Sequence, residues 1–517
     1  MRAFDQMTQR VISAVPMIAV SLGVFAAMVG IQVCAEPSGA PQRSRNGVGT
    51  VSRPNVIMIL MDDMGWRDVG FMGNSFVDTP HLDKLAQNGL VFTQAYASAP
   101  NCAPTRACLM SGQYTPRHGI YTVVDPRQPV GSPWHPLLAA DSRSELDADI
   151  ITVAESLRDG GYATAFFGMW NLGRGRSGPV TPGGQGFQRV VFPETLGFAK
   201  DAYFDDDGRY LSDRLTDSVV EFIEENQQQP FLAWLADHAV HAPFEPKQDL
   251  LRKYEAKAAR SQDGRNDPKY AATIEAVDQN AGRILETLER LKLADNTVVI
   301  FTSDNGGTPQ YTAPLNGSKG QLYEGGIRVP MVVSWSGLKR QGSQSEIPVA
   351  SVDVYPTLLE LAGLKSPARQ PLDGVSLVPI FQGSSAIDRS CMFWHFPYYV
   401  GRATPSSAVR EGDFKLIEFF ESPGKHELYN LRTDPGEQQN LAASQQEKAA
   451  ALYRTLQQWQ KDTGAAIPQE QNPDFDPNAD RPRGGQGNAG GGKAGPGKAR
   501  AKNQQPGRGR RGNRSEK

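Results

Sequence analysis

A cysteine at position 102 is followed by Ala-Pro-Thr-Arg, inside the stretch NCAPTRACLMSGQYTPRHGIY at 101–121. In an exported chain a cysteine beside proline is ordinarily a disulfide partner or a small buried hydrophobe. Here its neighbours add chemistry. Arg106, Ala107, Leu109 and Met110 read as the first turns of a helix, and Pro104 suits a first turn. Cys102 thus stands at a loop-to-helix junction, where backbone N–H groups and the helix dipole favour negative charge. Arg106, one turn on, can reach back to pair with an anion.

Two further sites share a pattern. The run NVIMILM at Asn55–Met61 ends in Asp62-Asp63, and the run TVVIF at 297–301 leads to Asp304-Asn305. Continuous apolar runs of this kind read as strands buried on both faces. In open α/β sheets ligands gather at the carboxyl ends of such strands. A capping role would explain one Asp of the first pair and leave the other unexplained. Three carboxylates and an amide oxygen are hard donors, suited to Ca²⁺ or Mg²⁺. His241 follows a third apolar run, 230–235, and Lys319 sits in a Gly-rich loop at 316–320. Taken alone, a loop His and a loop Lys are solvated residues. The spacing of Cys102 and Cys108 does not fit a zinc site.

The elements that must position these residues alternate. Helices are expected at 79–89, 151–160, 212–225, 270–293 and 353–363, with further strands at 163–167 and 330–334. Such alternation from 55 to 363 predicts an α/β fold, a mostly parallel sheet with helices on both faces. Then the texture changes to short strand-like runs joined by turns, followed by a helix at 445–463. This predicts a smaller C-terminal α+β lobe with an antiparallel sheet. The expected organisation is a leader over 1–35, a linker over 36–53, a catalytic domain over 54–375, the smaller lobe over 376–465 and a disordered tail over 466–517.

Charge is unevenly spread over the 517 residues. Residues 481–517 hold eleven Lys or Arg against Glu516 alone, a net +10, which leaves −12 for the remaining chain. A basic tail on an acidic body suits contact with a polyanion. It lacks the interleaved aromatics that stack on bases, which argues against specific nucleic-acid binding. Arg2 and Arg10 precede an apolar run over 11–33 that closes in Val33-Cys34-Ala35. Cleavage after Ala35 and export to the periplasm or medium are expected. An uncleaved anchor and a lipoprotein at Cys34 fit the run less well. If Cys34 leaves with the leader, an odd count of three cysteines remains, which invites a special fate for one of them.

Together these residues resemble the sulfatase family, of alkaline-phosphatase-like α/β fold. The segments that carry the resemblance are LMDDMGWRDVG (60–70), TPHLDKLAQNGLVFTQAYASAPNCAPTRACLMSGQYTPRHG (79–119), VHAPFEP (240–246), TSDNGG (302–307), GSKGQLYEGGIRVP (317–330) and ELYNLRTDPGEQQNLA (427–442). They span roughly 54–465 in family order. The resemblance implies that a maturation enzyme oxidises Cys102 to formylglycine. One hydroxyl of the aldehyde hydrate would attack sulfur and release the alcohol, and the other would expel sulfate. It implies that Asp62, Asp63, Asp304 and Asn305 bind Ca²⁺. Arg106 would steady the hydrate, and His241 and Lys319 would hold the sulfate and assist the leaving oxygen. The implied substrate is a sulfated carbohydrate or another sulfate ester. One segment departs: where the family usually has Gly-Lys-Trp-His-Leu-Gly, this chain has Gly168-Met169-Trp170-Asn171-Leu172-Gly173. Met169 carries no charge and Asn171 takes no proton near neutral pH. That leaves open a hydrolase with another base such as His238 or a water, a slow or non-catalytic sulfoglycan binder, and a phosphonate or phosphodiester hydrolase of the same fold.

Overall fold

The computed structural model describes residues 53–123, 131–261 and 266–479. The leader, all but the last residue of the linker and the tail beyond 479 lie outside the described residues. The strands, in chain order, are β1 (Asn55–Met61), β2 (Gly89–Phe92), β3 (Ala95–Tyr96), β4 (Ala163–Gly168), β5 (Arg189–Val191), β6 (Phe231–Asp237), β7 (Thr297–Ser303), β8 (Arg328–Val329), β9 (Met331–Ser334), β10 (Ser343–Ser345), β11 (Val349–Ala350), β12 (Cys391–Phe396), β13 (Ser406–Glu411), β14 (Phe414–Phe419) and β15 (His426–Asn430). Eight of them form one sheet in the order β10-β2-β9-β7-β1-β6-β4-β5. Only β9 runs against its neighbours, β2 and β7. The others pair in parallel, as the alternation of runs and helices predicts.

Every residue of β1 is buried, because both faces of the sheet are covered. Its side chains alternate between two cores, as the period of two requires. Val56, Met58 and Leu60 join the layer that holds helices Cys102–Ser111, Val153–Asp159 and Val354–Ala362. Ile57, Ile59 and Met61 join the layer of Pro80–Gln87, Leu211–Glu225, Gln248–Ala258 and Pro268–Arg290. The helix Gln248–Ala258 escapes the sequence reading. It buries only Leu250 and Tyr254, so its apolar stripe is too thin to stand out among charged residues.

Strands β12 to β15 make a separate antiparallel sheet, the kind expected for the C-terminal region. Residues 466–479 correct the expected start of the tail. Leu137 bridges to Gln471, and the N–H groups of Leu138, Asn472 and Asp476 donate to the carbonyls of Glu470, Pro136 and Pro133. The composition there is polar, but backbone pairing needs no apolar side chain. Among the described residues no helix is long and apolar enough to cross a membrane.

The sheet order decides where the chemistry sits. β7, β1, β6 and β4 are consecutive neighbours running the same way, so their carboxyl ends open side by side. Met61 is level with Ser303 and Asp237, and Gly168 with Ala236. The loops carrying Asp62-Asp63, Asp304-Asn305, His238 to His241, and Met169 to Asn171 therefore leave the sheet together.

Candidate active site

Cys102 is the first residue of helix Cys102–Ser111. Asn101 caps it, its Oδ1 accepting the Cys102 N–H at 2.7 Å. The cap fixes the helix entry and points the Cys102 side chain at the strand ends. Its Sγ lies 3.1 Å from Asp62 Oδ1 and 3.9 Å from Asp63 Oδ1, with the residue 3% exposed. Burial, then Asp62, pushes the thiol well above its usual range. A cysteine nucleophile requires the opposite shift, so this thiol as it stands is poorly suited to attack.

Asp62, Asp63, Asp304 and Cys102 each bring one donor atom into a group whose members all lie within 4.8 Å of one another. Asp63 holds φ at +68°, a left-handed conformation that Asp tolerates better than most residues. Burial opposes charge on Asp62, yet Arg106, His241 and Lys319 hold its carboxyl well below the usual range. Burial and the charge of Asp62 push Asp304 up, to about 7. Three carboxylates this close repel one another unless a cation sits among them. Asn305 Nδ2 donates to Asp63 Oδ1 at 2.8 Å, while its Oδ1 is buried with no hydrogen-bond partner. A buried, unpaired acceptor carries a cost of about 1–3 kcal/mol unless something occupies it. The donor set is oxygen-rich and hard, and it fits Ca²⁺ or Mg²⁺.

An arginine, a lysine and a histidine from three elements face these acids. Arg106 Nε donates to Asp304 Oδ2 at 2.9 Å and Nη2 to Asp62 Oδ2 at 3.0 Å, while Nη1 donates to the carbonyl of Met169. Lys319 Nζ lies 2.5 Å from Asp63 Oδ1. Burial works against its charge, but Asp63 holds it protonated. His241 donates Nδ1–H to the carbonyl of Ala242 at 2.7 Å, which turns Nε2 toward Asp63 Oδ2 at 3.6 Å. The eight residues singled out in the sequence thus converge on one centre. Tyr203, with no spacing signal of its own, also belongs here: its hydroxyl donates to the carbonyls of His241 and His238. Met169 and Asn171 lie on the adjoining loop and bring neither a cation nor a base.

A family model described as Sulfatase matches residues 54–364. The chain belongs to the sulfatase family. A second model, described as N-sulphoglucosamine sulphohydrolase, C-terminal, matches residues 318–462 of this sulfatase. Among its relatives is a protein named Sulfatase from Formosa agariphila, 33% identical over 79% of this chain and 88% of the relative. Human arylsulfatase A is 28% identical over 80% of this chain and 88% of its own. A solved structure named Ps i-CgsB, in complex with k-i-k-neocarrahexaose, superposes with a TM-score of 0.67. It is 26% identical and covers 81% of this chain and 95% of that one. The reaction class of this sulfatase is hydrolysis of sulfate esters.

Proposed function

We propose that this sulfatase removes sulfate from a sulfated carbohydrate through a formylglycine made from Cys102, with Ca²⁺ held by Asp62, Asp63, Asp304 and Asn305. The observation that carries the reading is a buried thiol kept protonated among three carboxylates, beside an amide oxygen with no partner. Bound there, Ca²⁺ supplies charge that draws in sulfate oxygens, and Mg²⁺ is the next candidate. Formylglycine supplies, as its hydrate, an oxygen nucleophile where the thiol is unsuited.

The chain's own residues do the remaining work. Arg106 locks Asp62 and Asp304 in place and presents its charge beneath residue 102. Lys319 and His241 flank Asp63 from the other side, where they bind and orient the sulfate group. His241, its Nδ1 committed to a carbonyl, offers Nε2 to hold a proton for the leaving oxygen. The loop over 171–186, with exposed Arg174 and Arg176, lies beside the site and suits an anionic glycan. The reading includes export through the leader, a maturation enzyme acting on Cys102, and polyanion contact through the basic tail.

Met169 and Asn171 favour a second reading, a sulfoglycan binder with little turnover. Metal analysis of the purified protein, followed by para-nitrophenyl sulfate and a panel of sulfated sugars, separates the two. The proposal expects bound Ca²⁺, steady release of sulfate, and loss of release after chelation. Tight sugar binding without release of sulfate would replace it with the binder.

A further inference from the structure

Sulfate-ester hydrolysis on a hydrated aldehyde needs a proton acceptor beside residue 102, and most groups there are already committed. The three carboxylates face the cation site and Arg106. Lys319 is held as a cation, and His241 Nδ1 is tied to Ala242. Met169 and Asn171 offer no base. One imidazole remains. His238 leaves the end of β6, one residue past Asp237, whose carbonyl accepts the N–H of Asp62. It is 8% exposed, and its Nδ1 is buried with no hydrogen-bond partner. The ring packs 5.0 Å from that of Tyr203, whose hydroxyl also donates to the His238 carbonyl at 3.3 Å. The His241 N–H donates to the same carbonyl at 2.9 Å, so the His238 backbone is held from both sides.

The register starts the His238 segment beside the segment that lacks a base. Gly168 of β4 is level with Ala236 of β6, and the Met169 N–H donates to the Ala236 carbonyl. The segments after β4 and β6 therefore start side by side, with His238 alongside the base-free segment 169–171. The charges acting on the ring are those of Asp62, His241, Arg106 and Asp201.

We propose that His238 is the proton acceptor that releases sulfate from residue 102, while His241 Nε2 serves the leaving oxygen. This rests on the formylglycine reading above. In the step, Nδ1 takes the proton from the hydrate hydroxyl that carries no sulfate. The electron pair left on that oxygen forms the C=O bond. The bond between the carbon and the sulfate-bearing oxygen breaks, its pair leaves with sulfate, and the imidazolium then gives its proton to water. Burial lowers the ring's affinity for protons, to about 4, so it stands neutral at pH 7, and the Asp62 charge acts to raise that affinity.

The test uses the full chain matured in its host, para-nitrophenyl sulfate, and acid-quenched mass spectrometry of the peptide spanning residue 102. In His238→Gln the peptide should arrive as the aldehyde before substrate. One equivalent of nitrophenol should appear in a burst, turnover should fall about 100-fold or more, and the quenched peptide should be heavier than the aldehyde hydrate by one SO₃ group. Melting curves matching the parent exclude a folding defect. His238→Ala should regain turnover when imidazole is added, which an unfolded protein would not do. Unchanged turnover in His238→Gln, or a raised KM with no SO₃-bearing peptide, overturns the proposal. A parent peptide that is still a thiol, with no nitrophenol released, overturns the formylglycine reading itself and takes this one with it.

Discussion

Arg106 shows how much of the site hangs on one side chain. Its fork spans two carboxylates from different strands and a backbone carbonyl, an arrangement a point charge cannot reproduce. Arg106→Lys should therefore keep the fold and lower kcat/KM about 100-fold, measured on an aryl sulfate. Asp68 gives a stability test away from the cation site. Burial pushes its carboxyl up, to about 7, against hydrogen bonds from Tyr270 and Gly65. The folded value lies above the unfolded one, so the folded state favours the protonated form. The group's contribution is full at low pH and is lost as pH rises from about 4 to about 7. Asp68→Asn should melt higher than the parent at pH 8 and no higher at pH 4, by calorimetry. The sequence makes Cys102, Asp62, Asp63 and Asp304 legible, because each follows a buried run or opens a helix. Lys319 carries no local signal and His241 only its place after an apolar run; the meeting of distant loops gives them a purpose. The unpaired Nδ1 of His238 and the clamp from Tyr203 depend on packing that no spacing encodes.

At the scale of elements, the strand ends do the positioning and the second sheet holds a wall of the body in place. Lys415 on β14 is fully buried and pairs with Glu324 at 2.8 Å and Glu437 at 2.7 Å. Glu324 belongs to the short helix Glu324–Ile327, which follows the loop bearing Lys319. Arg410 on β13 bonds to Tyr96 of β3, and Trp394 on β12 donates to the Ala97 carbonyl at 2.8 Å. Lys415→Met would strand two buried carboxylates, at a cost of about 3–5 kcal/mol. Urea titration should show that loss, with activity at low denaturant falling because the Lys319 loop loses its support. The long apolar runs and capped helices of the sheet were readable because burial on both faces leaves a plain record. Segment 466–479 was not, since it attaches through backbone hydrogen bonds and the Asn472 amide rather than an apolar stripe.

Across the whole molecule, the two cores on either face of the sheet make the scaffold stiff enough to hold like charges together. The cation site is then a place where ligand binding should feed into global stability. Ca²⁺ at 100 times its Kd should add about 2.7 kcal/mol to unfolding. Melting followed by calorimetry should rise with added Ca²⁺ and fall on chelation, and Asp304→Asn should flatten that response. The chemistry proposed for the site turns on what residue 102 is in the mature protein. Mass spectrometry of the peptide spanning Cys102, from protein made in its natural host, reads this directly. An aldehyde in place of the thiol, able to react with a hydrazide, is the expected result. An intact, unmodified cysteine in that peptide would contradict it.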